Sequence, residues 1–323
     1  MIDLIIPHYN NQEGLLKTIN SIDTNIFNIL IMDDNSDKPP VVPPPFRMWY
    51  WPENCGPGIQ RQRGLDSTNE PYVMFIDAGD VFISKEVQQE IAETINANPM
   101  VDIFIWPYYY DGQLTSTFDN RLHGKVYKRS FLKEHEITFC PKCSYMNEDI
   151  GFNRACRNIL AAEEREIYYG VTPVINWIKN ENSLTQSNQR ENFYRNQTIS
   201  LARTSIHTVD ILRKNNIDPV EEINYIALAL YYWFLRTVIE RPIFMQDAWT
   251  GAREFYRQFS FLISPEHFSI GNPYMQLCAS FRSQVNFPIN PRRFYRDVLI
   301  NEKVPKIYNG GHLNEADIHE ARD

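Results

Sequence analysis

Short, mainly apolar runs alternate with helical periods through the first third of the chain. Residues 4–6, 29–32, 72–76 and 101–106 are such runs, bounded by turn-forming residues, in the pattern of strands buried on both faces. Between them Leu15, Leu16, Ile19 and Ile22 recur at helical spacing, with Asn10 or Asn11 placed to cap the helix. A second helix is predicted to open at Gly56, Pro57 and Gly58. A third starts at Ser84 and carries Val87, Ile91 and Ile95 on one face. Strands separated by helices require right-handed crossovers, so the fold class is α/β, with a Rossmann-like, doubly wound and mostly parallel sheet.

Beyond about residue 186 the periods lengthen, and residues 188–214 and 219–240 read as long helices of a C-terminal helical extension. The most apolar window, residues 223–235, includes Asn224 and falls short of the roughly 18 residues that a membrane-spanning helix needs. A buried helix is expected there, with Tyr231, Tyr232, Trp233 and Phe234 in a core rather than on a sugar platform. Pro39, Pro40, Pro43, Pro44 and Pro45 mark a rigid loop near an element boundary.

In doubly wound sheets ligands gather beyond the carboxyl ends of the strands. The residues there are Pro7, His8, Tyr9 and Asn10 after the first run, Asp33, Asp34, Asn35, Ser36 and Asp37 after the second, and Asp77 and Asp80 after residues 72–76. Converging carboxylates repel one another; a divalent cation, a base and ribose, or helix amino termini would offset the cost. Taken alone, each segment is ordinary turn and capping chemistry. Their succession at strand ends is what favours a binding site. The chain has no GxGxxG after its first strand and no GxxxxGK[ST], so phosphates must be met by metal or side chains.

Composition narrows the classes without changing this picture. The chain has 323 residues, with 43% hydrophobic and 22% charged, ordinary values for one large or two smaller globular domains. A formal net charge of -8 removes any global attraction to nucleic acid or anionic membrane. Five cysteines and an amino terminus without a basic, then apolar, leader make a reduced cytoplasmic setting the expectation. Cys140 and Cys143 form one CxxC, with Cys156 and His135 nearby; one such pair is half of a zinc site, so free thiols are expected. Arg121, Lys125, Lys128, Arg129 and Lys133 form one basic island, and Arg282, Arg292, Arg293, Arg296, Lys303 and Lys306 another.

Several motifs in order carry a family resemblance. Pro7-His8-Tyr9-Asn10, Ile31-Met32-Asp33-Asp34-Asn35-Ser36, Gly58 through Arg61 to Gly64, and Phe75-Ile76-Asp77-Ala78-Gly79-Asp80 are the first four. Gly124-Lys125-Val126-Tyr127-Lys128-Arg129-Ser130-Phe131-Leu132 and Asn147-Glu148-Asp149 with Phe152 follow. Together they resemble the family 2 glycosyltransferases of the GT-A fold, over roughly residues 2–185.

The resemblance implies a metal-dependent inverting transferase that uses a nucleotide-sugar donor, a UDP-sugar by preference, and a saccharide acceptor. Residues 1–110 would form the nucleotide-sugar-binding half, 111–185 the acceptor-side half with the general base, and 186–323 the helical region. It places Pro7, His8, Tyr9, Asn10, Asp33, Asp34, Arg61 and Asp77 at the donor, with Asp34 on uracil and Arg61 beside the nucleotide. Asp149 is implied as general base with Glu148 its neighbour, and Mn2+ or Mg2+ as the ion. The usual second metal-binding aspartate is Gly79 here, so either Asp80 joins Asp77 as ligand, or water fills the gap, or the ion is held more weakly. His123 and Lys125 are candidates for an acceptor or phosphate contact, set against a structural role. The basic islands permit an alternative, a phage-type DNA glycosyltransferase acting on hydroxymethylated bases. Gly79 permits another, a catalytically silent nucleotide-sugar-binding module. A sugar-nucleotide pyrophosphorylase would share the general architecture, but the chain has no glycine-rich nucleotide loop of the expected kind near its first strand.

Overall fold

Strand β1 (Ile2–His8) is buried along its whole length, as expected of a strand covered on both faces. It leads into α1 (Gln12–Ser21), where the side chain of Asn11 caps the helix by accepting from the Gly14 amide. β2 (Phe27–Asp33), β3 (Arg47–Tyr50) and α2 (Pro57–Asp66) follow. Next come β4 (Tyr72–Phe75), β5 (Val81–Phe82) and α3 (Lys85–Ala97), the last capped by Ser84. After these come β6 (Ile103–Ile105), β7 (Tyr109–Tyr110), β8 (Gln113–Leu114), β9 (Lys125–Lys128), α4 (Arg129–Glu134), α5 (Glu148–Ala162), β10 (Ile167–Tyr169) and β11 (Ile175–Trp177). The computed structural model describes residues 1–44, 46–115, 117, 119–143, 146–178, 190–268, 276–278 and 293–300. The chain divides into two units, Met1–Gln186 and Ser187–Asp323.

The main sheet of the first unit has the order β10-β6-β9-β4-β1-β2-β3. β1 runs parallel to both β2 and β4, with His8 opposite Asp33. β9 runs antiparallel to β4 and β6, so the mostly parallel sheet carries one reversed strand. A smaller sheet has the order β5-β11-β7-β8. Alternation along the strands sends side chains to both faces. Leu4, Ile6, Ile31 and Met74 meet Leu15 and Ile19 of α1 and Ile91 and Ile95 of α3 in one core. On the other face Ile5 lies against Gly64 of α2, and Phe75 packs edge-on to Phe139 and to Phe152 of α5. Helices thus cover both faces, as the sequence pattern requires.

The second unit is helical. α6 (Arg190–Lys214), α7 (Val220–Glu240) and α8 (Met245–Phe259) enclose a core that includes Val209, Ile223, Leu230, Phe234 and Phe255. Tyr231 and Phe234 are fully buried, while Tyr232 and Trp233 pack partly buried against that core. The Tyr256 hydroxyl donates to the Ala227 carbonyl at 2.9 Å, and Trp249 Nε1 to the Leu299 carbonyl at 3.0 Å. Among the described residues, no helix is long and apolar enough to cross a membrane.

Candidate active site

β1, β2 and β4 are parallel neighbours, so the loops after them lie along one edge of the sheet. Beyond β4 the chain turns at Asp77 to Asp80, where the Asp80 amide donates to the Asp77 carbonyl at 3.0 Å. Gly79 takes the third place of this turn with φ +118°, the positive φ that a type II-like turn asks of that position. α1 and its cap hold the turn in place. Asn11 Nδ2 donates to the Ala78 carbonyl at 2.7 Å, and the Gly79 amide donates to Thr18 Oγ1 at 2.9 Å.

Asp80, at the end of the turn, is buried, and its Oδ2 lies 2.9 Å from Nε2 of His123. Asp77 Oδ2 is 3.9 Å from the same nitrogen. The His123 ring is stacked on Tyr108, with centroids 5.1 Å apart, and tilted against Trp177 at 5.3 Å. Asp77, Asp80 and His123 each offer one donor atom, all within 4.8 Å of one another. Two hard carboxylate oxygens and one imidazole suit a divalent cation. Burial pushes the Asp80 carboxyl up to about 6 against the pull of His123. Burial also works against charge on His123, but Asp80 and Asp77 outweigh it and raise the imidazole above its ordinary value. For Asp77, burial is outweighed by Arg61 and His123, which hold it below the usual carboxylate range.

Arg61 sits in the second turn of α2, with its side chain 7% exposed. Its Nη2 donates to Asp77 Oδ1 at 2.6 Å and its Nη1 to Glu148 Oε1 at 2.5 Å. Burial opposes the guanidinium charge, but Asp77 and Glu148 more than offset it and raise its pKa. Gly58 allows α2 to approach α5 this closely: a Cβ there would stand 3.0 Å from Glu148 Cβ and 3.2 Å from the Cys143 carbonyl. Glu148 and Asp149 open α5. Glu148 is buried and its Oε2 has no partner among the described residues. Asp149 accepts from the Ile150 amide at 2.8 Å. Burial, then the adjacent Glu148, pushes its carboxyl up to about 7, with Arg61 opposing.

At the end of β2 the two aspartates divide their work. Asp34 Oδ1 accepts from the Cys55 amide at 2.8 Å and from Gln60 Nε2 at 2.6 Å, and Oδ2 accepts from the Gly56 amide at 2.7 Å. Gly56 precedes α2 and has no side chain to cap it, so Asp34 caps that helix from the neighbouring strand. Asp33 instead binds the loop beneath. It accepts from His8 Nδ1 at 2.7 Å, from Ser36 Oγ at 2.7 Å and from the Ser36 amide at 3.0 Å. His8 Nε2 accepts from the Asn11 amide at 3.3 Å, so both ring nitrogens have protein partners. Asn10 is tied to Asp37 in both directions, at 3.1 and 2.9 Å. Pro7 is buried opposite Met32, whereas Tyr9 is 47% exposed.

Lys125 is fully buried, and its ammonium donates to Asp119 Oδ1 at 2.9 Å and to the Arg121 carbonyl. Burial lowers its pKa against the pull of Asp119. Lys128, Arg129 and Arg121 of the basic island are also engaged. Lys128 donates to the Pro99 carbonyl at 2.7 Å and Arg129 to the Asn69 carbonyl at 3.4 Å. Arg121 lies over the rings of Tyr110 and Trp177 at 5.3 and 5.1 Å. Of the second island, Arg282, Arg292, Lys303 and Lys306 lie outside the described residues, while Arg296 pairs with Asp297. Cys140, Cys143 and Cys156 are buried and form no disulfide. The structure adds Asn11, Thr18, Gln60, Tyr108 and Trp177 to the surroundings of the site. Only Asn11 had a sequence signal, as a candidate cap.

A seven-stranded mixed sheet with helices on both faces and carboxylates at its strand ends defines a GT-A fold. Residues 3–151 match the family model for glycosyl transferase family 2. Residues 1–349 of S. aureus TarS, in complex with UDP, align with a TM-score of 0.54 and 13% identity, over 96% of this chain and 97% of that one. The same TarS segment with UDP-GlcNAc gives a TM-score of 0.53 and 15% identity at the same coverage. An uncharacterized glycosyltransferase of Haemophilus influenzae is 26% identical over 102 residues, which are 28% of this chain and 41% of the relative. The chain therefore spans less than half the length of that curated relative. Over residues 3–151 the chain is thus similar to glycosyl transferase family 2.

Proposed function

We propose that the chain is a metal-dependent inverting glycosyltransferase that moves a sugar from a nucleoside diphosphate sugar to a hydroxyl of a saccharide. The observation that carries this reading is the unbroken run from Asp77 through Arg61 to Glu148, which joins the donor-side carboxylates to the residue beside Asp149. UDP-sugar is the first-choice donor, in keeping with the UDP and UDP-GlcNAc complexes of the fold relative. Free thiols throughout fit work in a reducing cytoplasm.

Asp77, Asp80 and His123 would hold the ion, with the imidazole favouring Mn2+ over Mg2+. When bound, that ion supplies positive charge against the leaving diphosphate. Tyr9 offers an open aromatic face at the edge where the base would lie, and Asp34 sets the amino terminus of α2 beside it. Asp149 takes the proton of the acceptor hydroxyl as that oxygen attacks the anomeric carbon from the face opposite the diphosphate. A carboxyl raised to about 7 is matched to this task near neutral pH.

The test is release of nucleoside diphosphate from a panel of UDP- and GDP-sugars, with Mn2+ and saccharide acceptors. Asp149→Asn is expected to retain nucleotide binding while turnover falls about 100-fold to 10,000-fold. Full activity in that variant, or a wild-type chain that binds no nucleoside diphosphate, overturns the proposal.

A further inference from the structure

We propose that Arg61 is a positioning residue that acts on Asp149 through Glu148, and that it is not a ligand of the donor diphosphate. The inference rests on the transferase reading above. Each terminal nitrogen of the guanidinium directs one N–H at a carboxylate, at 2.6 Å to Asp77 and 2.5 Å to Glu148, and Nε is buried without a partner among the described residues. A diphosphate that drew the guanidinium toward itself would weaken its pairs with Asp77 and with the buried Glu148, leaving the Glu148 charge uncompensated. The arrangement instead spends the planar fork of arginine on joining α2, the turn after β4 and the start of α5, a geometry that lysine cannot reproduce. Gly58 permits it by letting α2 pass against Glu148.

The consequence for Asp149 follows from its neighbours. Glu148 disfavours its ionised form, whereas Arg61 and His123 favour it. Arg121 and Lys125 also feel the Asp149 charge, from the acceptor side. Without Arg61, only His123, Arg121 and Lys125 remain to oppose the Glu148 charge at Asp149, and its proton is held more tightly. Without the charge of Glu148, it is held less tightly. The two substitutions therefore move the acidic limb of the rate profile in opposite directions, which loss of packing alone does not do.

The experiment compares the full chain with Arg61→Gln, Arg61→Lys and Glu148→Gln, measuring UDP affinity with Mn2+ by calorimetry and kcat against pH. In Arg61→Gln, affinity is expected to stay within about threefold while kcat falls about 100-fold and the acidic limb moves to higher pH. Arg61→Lys moves the limb less, and Glu148→Gln moves it to lower pH. If Arg61→Gln fails to fold, Arg61→Lys decides the question: UDP affinity kept with the limb moved to higher pH supports the inference, and affinity lost with the limb in place overturns it. Loss of UDP affinity beyond about thirtyfold with the limb in place overturns the inference and makes Arg61 a phosphate ligand. A wild-type chain that binds no nucleotide fails the transferase reading instead.

Discussion

Oδ2 of Asp80 and Nε2 of His123 stand 2.9 Å apart, and Asp77 completes their group from the other end of the same turn. Under the proposed function this group takes the place of the second aspartate of the family pattern, the turn at Gly79 leaving Asp80 within reach of His123. Asp80→Asn and His123→Gln are each predicted to weaken Mn2+ binding on the order of tenfold or more. The readout is the Mn2+ concentration that half-saturates activity, checked by thermal shift with the metal alone. An unchanged Mn2+ requirement in both variants would place the ion elsewhere.

The raised Asp149 carboxyl makes two predictions of known sign. A base must be deprotonated to act, so kcat should rise with pH through about 7 and level off above it. The same elevation means that ionisation costs folding free energy. Stability contributed by the neutral form is full below the ordinary carboxylate range and declines as pH rises to about 7, after which the loss is constant. Asp149→Asn removes this term, so its melting temperature should exceed that of the wild type at pH 8, with the gap closing toward pH 4. A gap independent of pH would contradict the assignment.

Much of the carboxylate-bearing sheet edge was legible because strand ends in a parallel sheet are fixed by local pattern. The runs around Ile5, Leu30 and Met74 gave β1, β2 and β4, and the carboxylates after them followed. What the sequence did not carry was how each carboxylate is used. Asp33 and Asp34 are adjacent, yet one binds His8 and Ser36 while the other caps α2, because successive residues leaving a strand point to different sides. The reversed strand β9 and the tilted packing of Trp177 against His123 depend on contacts between residues far apart in sequence, for which local periodicity has no signal.

Asp34 as a distant cap has a cost that can be measured. Asp34→Ala leaves the amides of Cys55 and Gly56 and the Gln60 side chain without their acceptor in a buried place. The expected loss is about 1–3 kcal/mol in denaturant unfolding. Asp34→Asn should lose less, since one oxygen remains to accept. Because α2 also carries Arg61, turnover in Asp34→Ala should fall further than nucleotide affinity. A variant as stable as the wild type would show that the cap is dispensable.

Gly79→Asp is the most direct trial of the departure from the family pattern. By sequence alone it restores the usual second carboxylate and should strengthen metal binding. By structure it should do the reverse. There is room for a side chain, since a Cβ would meet only Asn11 Nδ2 at 3.6 Å. The obstacle is the backbone at φ +118°, where an L-residue costs on the order of 1–3 kcal/mol. Relief of that strain requires the turn to rotate. Rotation would break the Gly79 amide's bond to Thr18 and the Asp80 amide's bond to Asp77, and would carry Asp80 away from His123. Gly79→Asp and Gly79→Ala are therefore both predicted to lower the melting temperature and to raise the Mn2+ requirement together. If Gly79→Asp instead binds Mn2+ more tightly at an unchanged melting temperature, the turn is not what selects Asp80, and the ion is held in the usual two-aspartate pattern.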